Sequence, residues 1–190
     1  MPACDTTFCR SCGGQCCREW PAPAIPRDFG APDRRVLRRR LESALACGEW
    51  VIDWWYGDAR QTQRRGPRIE RSYVVRPRAG QNQKAKLDIF QTRNGQNAPC
   101  VFSSVVNGDA TCVLGDDERP ANCKALMSSL GGSACGQRIW SPVAMERRRL
   151  AAVDWLPYRT LLAEVASKVS GIPVRDILTG QIPEGVSPGA

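Results

Sequence analysis

The chain has 190 residues, ten cysteines, no histidine and a formal net charge of +8. Because histidine is absent, serine–histidine and cysteine–histidine nucleophiles are excluded, and any soft-metal site must consist of thiolates. No run approaches the roughly 20 consecutive apolar residues that a membrane helix needs, so we expect no membrane partner. A chain of this length is typical of one domain with a real hydrophobic core.

The first five residues contain neither a basic region nor a hydrophobic one, so we expect no secretory signal and a cytoplasmic location. Thiols stay reduced in that compartment, where clustered cysteines are more often metal ligands than disulfides. A disulfide framework is the alternative interpretation of the same cysteines.

The densest cysteine cluster lies near the beginning of the chain. It has the pattern C-x2-C-x3-C-C and consists of Cys9, Cys12, Cys16 and Cys17. Two glycines inside it allow the backbone to turn tightly enough for several sulfurs to converge. Successive side chains point apart, so we expect the adjacent Cys16 and Cys17 to serve different centres, or only one of them to ligate.

The region after this cluster predicts short regular elements. Asp33 is a typical N-cap, and apolar residues at helical spacing up to Gly48 predict a helix over residues 34–47. Residues 50–56 and 72–78 predict two strands, and residues 86–90 a third. The three tryptophans of the first strand are expected to belong to the core or to cover a metal site, with a base-stacking platform as the alternative.

The last quarter of the chain predicts helices. Residues 147–154 form one segment, Pro157 begins or kinks the next, and an amphipathic helix ends at Gly171. We therefore expect an α+β fold, a small irregular single domain with short strands in the middle and helices near residues 34–47 and 147–170. The domain comprises residues 1–190, with a core at about residues 4–170 and a flexible tail at residues 180–190. One or more cysteine-ligated metal centres are expected to hold its segments together.

Four more cysteines follow in the second half, separated by eleven, ten and eleven residues: Cys100, Cys112, Cys123 and Cys135. The turn-forming residues between them predict loops and short hairpins that each deliver one ligand. Two centres with ligands from both halves use eight cysteines and leave Cys4 and Cys47 over. Zinc and iron–sulfur clusters both accept four thiolates, so the spacing does not separate them. Eight thiolate charges and two divalent centres change the net charge from +8 to +4.

The second half also contains Cys112-Val113-Leu114 and Arg119-Pro120-x2-Cys123-Lys124-Ala125-Leu126. With C-x2-C-x3-C-C and Cys100, these motifs resemble the CxxCxxCC cysteine-cluster family (YkgJ-like), which is described as zinc- or iron-chelating. The resemblance covers about residues 9–135. It implies that the first metal ligands are Cys9, Cys12, Cys16, Cys17, Cys112 and Cys123, followed by Cys100 and Cys135.

Two residues beside Cys123 support the ligands in this interpretation. Pro120 fixes φ in the turn before Cys123, and Arg119 can donate hydrogen bonds to a thiolate sulfur or to nearby carbonyls. Such donors hold ligands in place and moderate the negative charge of the centre.

The sequence thus predicts a metal-binding protein that holds zinc or an iron–sulfur cluster in one or two centres and serves redox, electron transfer or sensing with a protein partner. A purely structural zinc pair is the simpler form of this prediction. The family includes the flagellin lysine N-methylase, and this resemblance implies a protein-modifying enzyme as one alternative. The arginine-rich face of residues 34–40 suggests a nucleic-acid-binding zinc module as another.

Overall fold

The computed structural model describes residues 17, 21–55, 72–80, 89–90, 99–106, 109–115, 117–124 and 150–179. These residues form a mixed helix-and-strand structure, so the predicted α+β class is confirmed. Of the side chains in the strands, those of residues 54, 55, 72, 106, 109 and 110 are left undescribed.

Helix α1 (Arg34–Ala46) forms where its cap and its apolar spacing predict it. The carboxylate of Asp33 accepts hydrogen bonds from the backbone N–H groups of Arg35 (2.8 Å) and Val36 (3.1 Å), which satisfies two of the unpaired amides of the first turn. The apolar stripe that is fully buried consists of Leu37, Leu41 and Leu45. The helix ends before Gly48, whose φ of +76° is left-handed. The prediction of a helix near residues 34–47 is confirmed.

Strands β1 (Trp50–Trp55) and β2 (Ser72–Pro77) pair antiparallel, with Ile52 opposite Val75. This pair confirms the first two predicted strands. Each outer edge of this two-stranded sheet has one isolated bridge: Ala24 pairs with Val75 of β2, and Phe90 pairs with Ile52 of β1. Phe90 ends the third predicted strand, and residues 86–88 of that strand lie outside the described residues.

A second hairpin lies beyond the end of β2 and consists of β3 (Ser103–Val106) and β4 (Asp109–Cys112). The chain after β2 joins the two sheets. Gly80 donates its backbone N–H to the carbonyl of Pro99 (2.7 Å), and Val101 donates to that of Arg78 (2.9 Å). Residues 78–80 and 99–101 thus form a short antiparallel link around an Ala79–Cys100 bridge.

The C-terminal part is helical. Residues 150–155 are helical, Leu156–Tyr158 forms a 3₁₀ turn that contains Pro157, and α2 (Arg159–Ser170) follows. Gly171 terminates α2 with a φ of +75°, as predicted, and α3 (Val174–Thr179) comes next. Within residues 147–170, the structure describes helix from residue 150 onward.

The core lies where α1, α2 and the helical residues 150–155 cover the β1–β2 sheet. Trp155 is almost fully buried, and its indole N–H donates to the carbonyl oxygen of Ala24 (2.9 Å). Ala24 in turn donates its backbone N–H to Val75 (2.8 Å). A hydrogen bond from the hydroxyl of Tyr73 to the carbonyl oxygen of Ile177 ties α3 to β2.

The flexible tail predicted at residues 180–190 lies outside the described residues. Among the helices of the described ranges, none combines the length and the apolar character that crossing a bilayer requires.

Replacing Leu41 with alanine is expected to lower the free energy of unfolding by about 2–5 kcal/mol, because it removes a fully buried side chain and leaves a cavity between α1 and its neighbours. Urea denaturation followed by circular dichroism measures the loss. Ser43→Ala on the exposed side of the same helix serves as the control and should change stability by no more than about 0.5 kcal/mol. Equal effects at the two positions would contradict the burial of this stripe.

Candidate metal centre

Four of the eight cysteines predicted as ligands fall within the described residues, and each lies on a different piece of the fold. Cys100 is buried, and the others, Cys17, Cys112 and Cys123, are half-buried. The remaining four lie outside the described residues: Cys9, Cys12, Cys16 and Cys135.

The backbone at Cys100 is held on both sides. Its residue bridges Ala79, next to the end of β2, and its backbone N–H donates to the carbonyl oxygen of Cys17. Its own carbonyl accepts from the N–H of Ser103 (2.9 Å), which starts the second hairpin. Cys100 therefore lies at the junction of three chain segments that are distant in sequence.

Cys112 is the last residue of β4 and lies opposite Ser103, the first residue of β3. The next residue continues the ladder, because Val113 donates its N–H to the carbonyl of Phe102 (2.9 Å). This register brings the end of β4 back toward the segment that carries Cys100. The turn-forming residues between these cysteines thus produce a hairpin of the kind the sequence predicts.

Cys123 lies in helical residues that begin after Pro120 and that the structure describes over residues 121–124. The Pro120 carbonyl accepts the N–H of Cys123 (2.9 Å). The N–H of Ala121, at the start of the helical residues, donates to the carboxylate of Asp28 (3.0 Å). The other oxygen of Asp28 accepts the N–H of Ile25 (2.9 Å). Asp28 therefore fastens the turn of Cys123 to the segment that leads into α1.

The four thiols lie near enough to one another to interact electrostatically. Burial raises the pKa of Cys123 well above its usual value, and negative charge on Cys100, Cys17 or Cys112 raises it further. Burial likewise raises the pKa of Cys100 to about 12, with contributions from Cys17 and Cys112. Without a compensating cation, thiols so placed stay protonated, because several thiolates in one desolvated region repel one another.

Two of these sulfurs each accept a hydrogen bond from a backbone N–H at the same position relative to the cysteine. The backbone N–H of Phe102 bonds to the thiol of Cys100, and the N–H of Leu114 bonds to that of Cys112. In both cases the donor lies two residues after the cysteine. Such bonds favour the thiolate and lower the pKa, against the larger effect of burial.

Arg119 adds a charged donor to Cys112. Its guanidinium is hydrogen-bonded to the thiol, and its charge also lowers the pKa of Cys112, although burial outweighs both effects. Its Nε donates to the carbonyl oxygen of Leu114 (3.2 Å), which fixes the side chain across the turn. Arg119 therefore contacts a thiol and a carbonyl, the two kinds of acceptor that the sequence suggests for it.

The thiols are neighbours without forming a coordination sphere. Within the described ranges, no group of three or more cysteine, histidine, aspartate or glutamate side chains is arranged so that it could hold a metal ion. Electrostatic interaction acts over longer distances than the roughly 2.3 Å of a zinc–sulfur bond. The effects of the thiols on one another's pKa therefore show that they are near each other, and do not show that their sulfurs are at coordination distance. The donor set is nevertheless chemically suited to a soft metal, because it consists of thiols with N–H and guanidinium donors.

Cys47, which the sequence leaves outside the ligand set, has a different environment. It is exposed at the end of α1, and two acceptors lie within reach of its single S–H, the carbonyl oxygen of Ala44 (3.0 Å) and the carboxylate of Glu49 (3.6 Å). Partial burial raises the pKa of Cys47, which keeps this thiol protonated. Cys4, the other cysteine left over, lies outside the described residues.

Two charged residues near the thiols have no signal in the sequence. Arg76 of β2 is buried and interacts with Cys100, and Asp28 interacts with Cys123. Both are distant in sequence from the cysteines they approach, so no spacing rule reveals them. The presence of Arg76 and Arg78 in the otherwise uncharged strand predicted over residues 72–78 is the only hint that the sequence offers.

Some of the aromatic and basic residues proposed for nucleic-acid binding take part in internal contacts. Trp50 packs edge-on against Phe29, with ring centroids 5.2 Å apart, and against Phe102 at 5.5 Å. On α1, Arg38 forms an ion pair with Glu164, and Arg34 lies over the ring of Tyr158. Arg35, Arg39 and Arg40 are exposed.

Comparison with known proteins identified no relative of this chain. Neither a scan against protein-family models nor searches of curated proteins and of solved structures returned a match.

Replacing Asp28 with alanine is expected to speed alkylation of Cys123, because the N–H groups of Ile25 and Ala121 lose their acceptor and the turn detaches from the segment before α1. Each buried N–H left without a partner costs about 1–3 kcal/mol. Iodoacetamide labelling in native buffer, with mass spectrometry of the Cys123 peptide, measures the rate. Asp28→Asn retains one oxygen acceptor and should give an intermediate rate.

Asp117→Asn, at an exposed position, is the matched control and should leave the labelling of Cys123 unchanged. If the alanine variant at Asp28 labels Cys123 no faster than this control, the fastening described above is wrong.

Proposed function

We propose that this protein binds a thiophilic metal, as zinc or as an iron–sulfur cluster, through thiolates contributed by separate parts of the chain. The ligands of the proposed centre are Cys17, Cys100, Cys112 and Cys123. The single observation that supports it best is the mutual electrostatic interaction of these thiols, which come from four different segments.

Backbone geometry supports the same proposal. N–H groups two residues after Cys100 and after Cys112 bond to their sulfurs, as expected of turns that present thiolates to a cation. The N–H of Glu49 bonds to the sulfur of Cys47 in the same way, so this bond alone does not distinguish the proposed ligands. Cys47 differs because the charge that acts on its thiol is that of Glu49, whereas other thiols act on Cys100 and Cys112.

Charge balance gives the chemical reason for a metal. Four neutral thiols bind a divalent ion as tetrathiolate with release of four protons, and the centre then has a charge of −2. Arg119 supplies one positive charge at Cys112, and Arg76 supplies another near Cys100, where it is shared with Asp53. A bound metal, when present, would replace the protons that burial otherwise keeps on the sulfurs.

The four predicted ligands outside the described residues belong to the same proposal. Two centres require Cys9, Cys12, Cys16 and Cys135 in addition to the four cysteines above. The resemblance to the cysteine-cluster family supports this larger set. The metal content per chain separates one centre from two.

Anaerobically purified protein is expected to contain stoichiometric zinc or iron, and the Cys100→Ser and Cys123→Ser variants should lose the metal of this centre. Elemental analysis and a visible absorption spectrum measure both. Broad absorption toward the blue end indicates an iron–sulfur cluster, whereas a colourless protein with zinc indicates the other metal. The matched control is Cys47→Ser, which should retain the wild-type metal content.

Metal-free wild-type protein would contradict the proposal. So would equal metal loss from Cys47→Ser and from Cys100→Ser, because the effect would then not depend on the described cluster.

Removal of the metal by a chelator is expected to lower the melting temperature by about 8–16 °C, if the ion is present at ~1,000 times its dissociation constant before removal. The reason is that a ligand bound only to the folded state stabilises it by mass action. Differential scanning calorimetry with and without chelator, followed by readdition of metal, measures the shift. A melting temperature that does not change with chelator would count against ligands drawn from separate segments.

A further inference from the structure

A buried ion pair joins strands β1 and β2 near the proposed centre. Asp53 of β1 and Arg76 of β2 are 0% and 3% exposed, and the Nε of Arg76 donates to the Oδ2 of Asp53 at 2.8 Å. Asp53 lies opposite Val74 in the sheet, so the pair is a diagonal contact across two strands. Arg76 also donates from a terminal nitrogen to the carbonyl oxygen of Pro77 (3.1 Å).

Fold stability alone does not account for such a pair. The desolvation of two charges roughly offsets their attraction, and well-packed apolar residues of similar volume are often as stable or more stable. The residues opposite the pair on the same face of the sheet, Val51 and Val74, are apolar and fully buried. A buried arginine in this setting points to a role for its charge.

The position of Arg76 connects it to the thiols. β2 continues from Arg76 into residues 78–80, which pair with residues 99–101 around the Ala79–Cys100 bridge. Arg76 and Cys100 accordingly interact electrostatically, each favouring the charged form of the other. Asp53 accepts the hydrogen bond from the Nε of Arg76, which fixes the guanidinium beside it.

We infer that the Asp53–Arg76 pair tunes the metal affinity of the thiolate centre, with Arg76 as a positioning residue that favours the metal-bound form and Asp53 opposing it. This inference rests on the proposed function. Arg76 acts through Cys100, the thiol with which it interacts, and does not itself ligate metal.

The direction of each effect follows from charge. Metal binding converts neutral thiols into a centre with a charge of −2, so a nearby positive charge favours the bound form and a negative charge disfavours it. Loss of the charge on Arg76 therefore lowers the affinity. Loss of the charge on Asp53 removes a negative charge that opposes the bound form and raises the affinity. A merely structural pair behaves differently, since breaking it from either side damages the site in the same direction.

The test measures Zn²⁺ affinity of the purified full-length chain, stripped of metal and titrated in competition with a chromophoric chelator. Arg76→Met should weaken binding about 10-fold or more, as is typical when a group that supports a metal ligand is removed. Asp53→Asn should strengthen it. Arg76→Lys retains the positive charge but loses the hydrogen bonds of the guanidinium to Asp53 and Pro77, so it should weaken binding less than Arg76→Met does.

A double variant controls for loss of affinity that is caused by misfolding. The pair Asp53→Asn with Arg76→Gln is neutral, keeps a side-chain hydrogen bond possible, and removes the positive charge that lies nearer to Cys100. Its affinity should fall below that of the wild type but above that of Arg76→Met. Circular dichroism of the metal-free proteins establishes which variants fold.

The outcomes separate the two proposals. A wild-type protein that binds no Zn²⁺ and contains no iron overturns the proposed function itself. A wild-type protein that binds Zn²⁺, with equal affinity in the neutral pair or with shifts of the same sign in Arg76→Met and Asp53→Asn, overturns the inference on Arg76 alone.

Discussion

Strand β2 makes backbone contacts with more of the chain than any other strand of the described ranges, and the arrangement of the cysteines depends on it. One edge pairs with β1, the other receives Ala24, and its continuation joins residues 99–101. Each of these hydrogen bonds is ordinary, but together they fix the relative positions of three distant segments. The side chains of β2 are buried on both faces, which explains why apolar residues alternate little along it.

This frame creates an unusual environment for thiols. Cysteine sulfurs are buried where their own charges repel, yet backbone N–H groups and an arginine are directed at them. The guanidinium of Arg119 favours the thiolate of Cys112, whereas burial without a cation disfavours it. The two tendencies are reconciled when a metal ion accepts the sulfurs, which is the physical basis of the proposed function.

Sequence patterns predicted the local elements well, because the forces that form them act between near neighbours. Helix α1 follows from the cap at Asp33 and the buried stripe that includes Leu41, and the end of α2 follows from Gly171. The exclusion of Cys47 from the ligand set stays a prediction. The predicted ligands outside the described residues, the family resemblance and the identity of the metal stay predictions.

The features that sequence reasoning missed are all long-range. Asp28 reaches Ala121 across 93 positions, and Arg76 interacts with Cys100 across 24. Such contacts depend on how strands are ordered in space, and neither periodicity nor motif spacing encodes that order. The same reason explains why the link between residues 78–80 and 99–101 could not be foreseen, although a strand over residues 72–78 could.

The hydrogen bonds of Ala24 have a consequence for chain entropy. Cys17 and Cys100 are 83 positions apart, and closing a flexible loop of that length has an entropic cost that grows as (3/2)RT ln n. Once Ala24 is attached to Val75 and Ala79 to Cys100, the free path between the two cysteines shrinks to about 11 residues, which lowers that cost by about 2 kcal/mol. The sheet therefore brings the amino-terminal thiol close to its partner before any bond to sulfur forms.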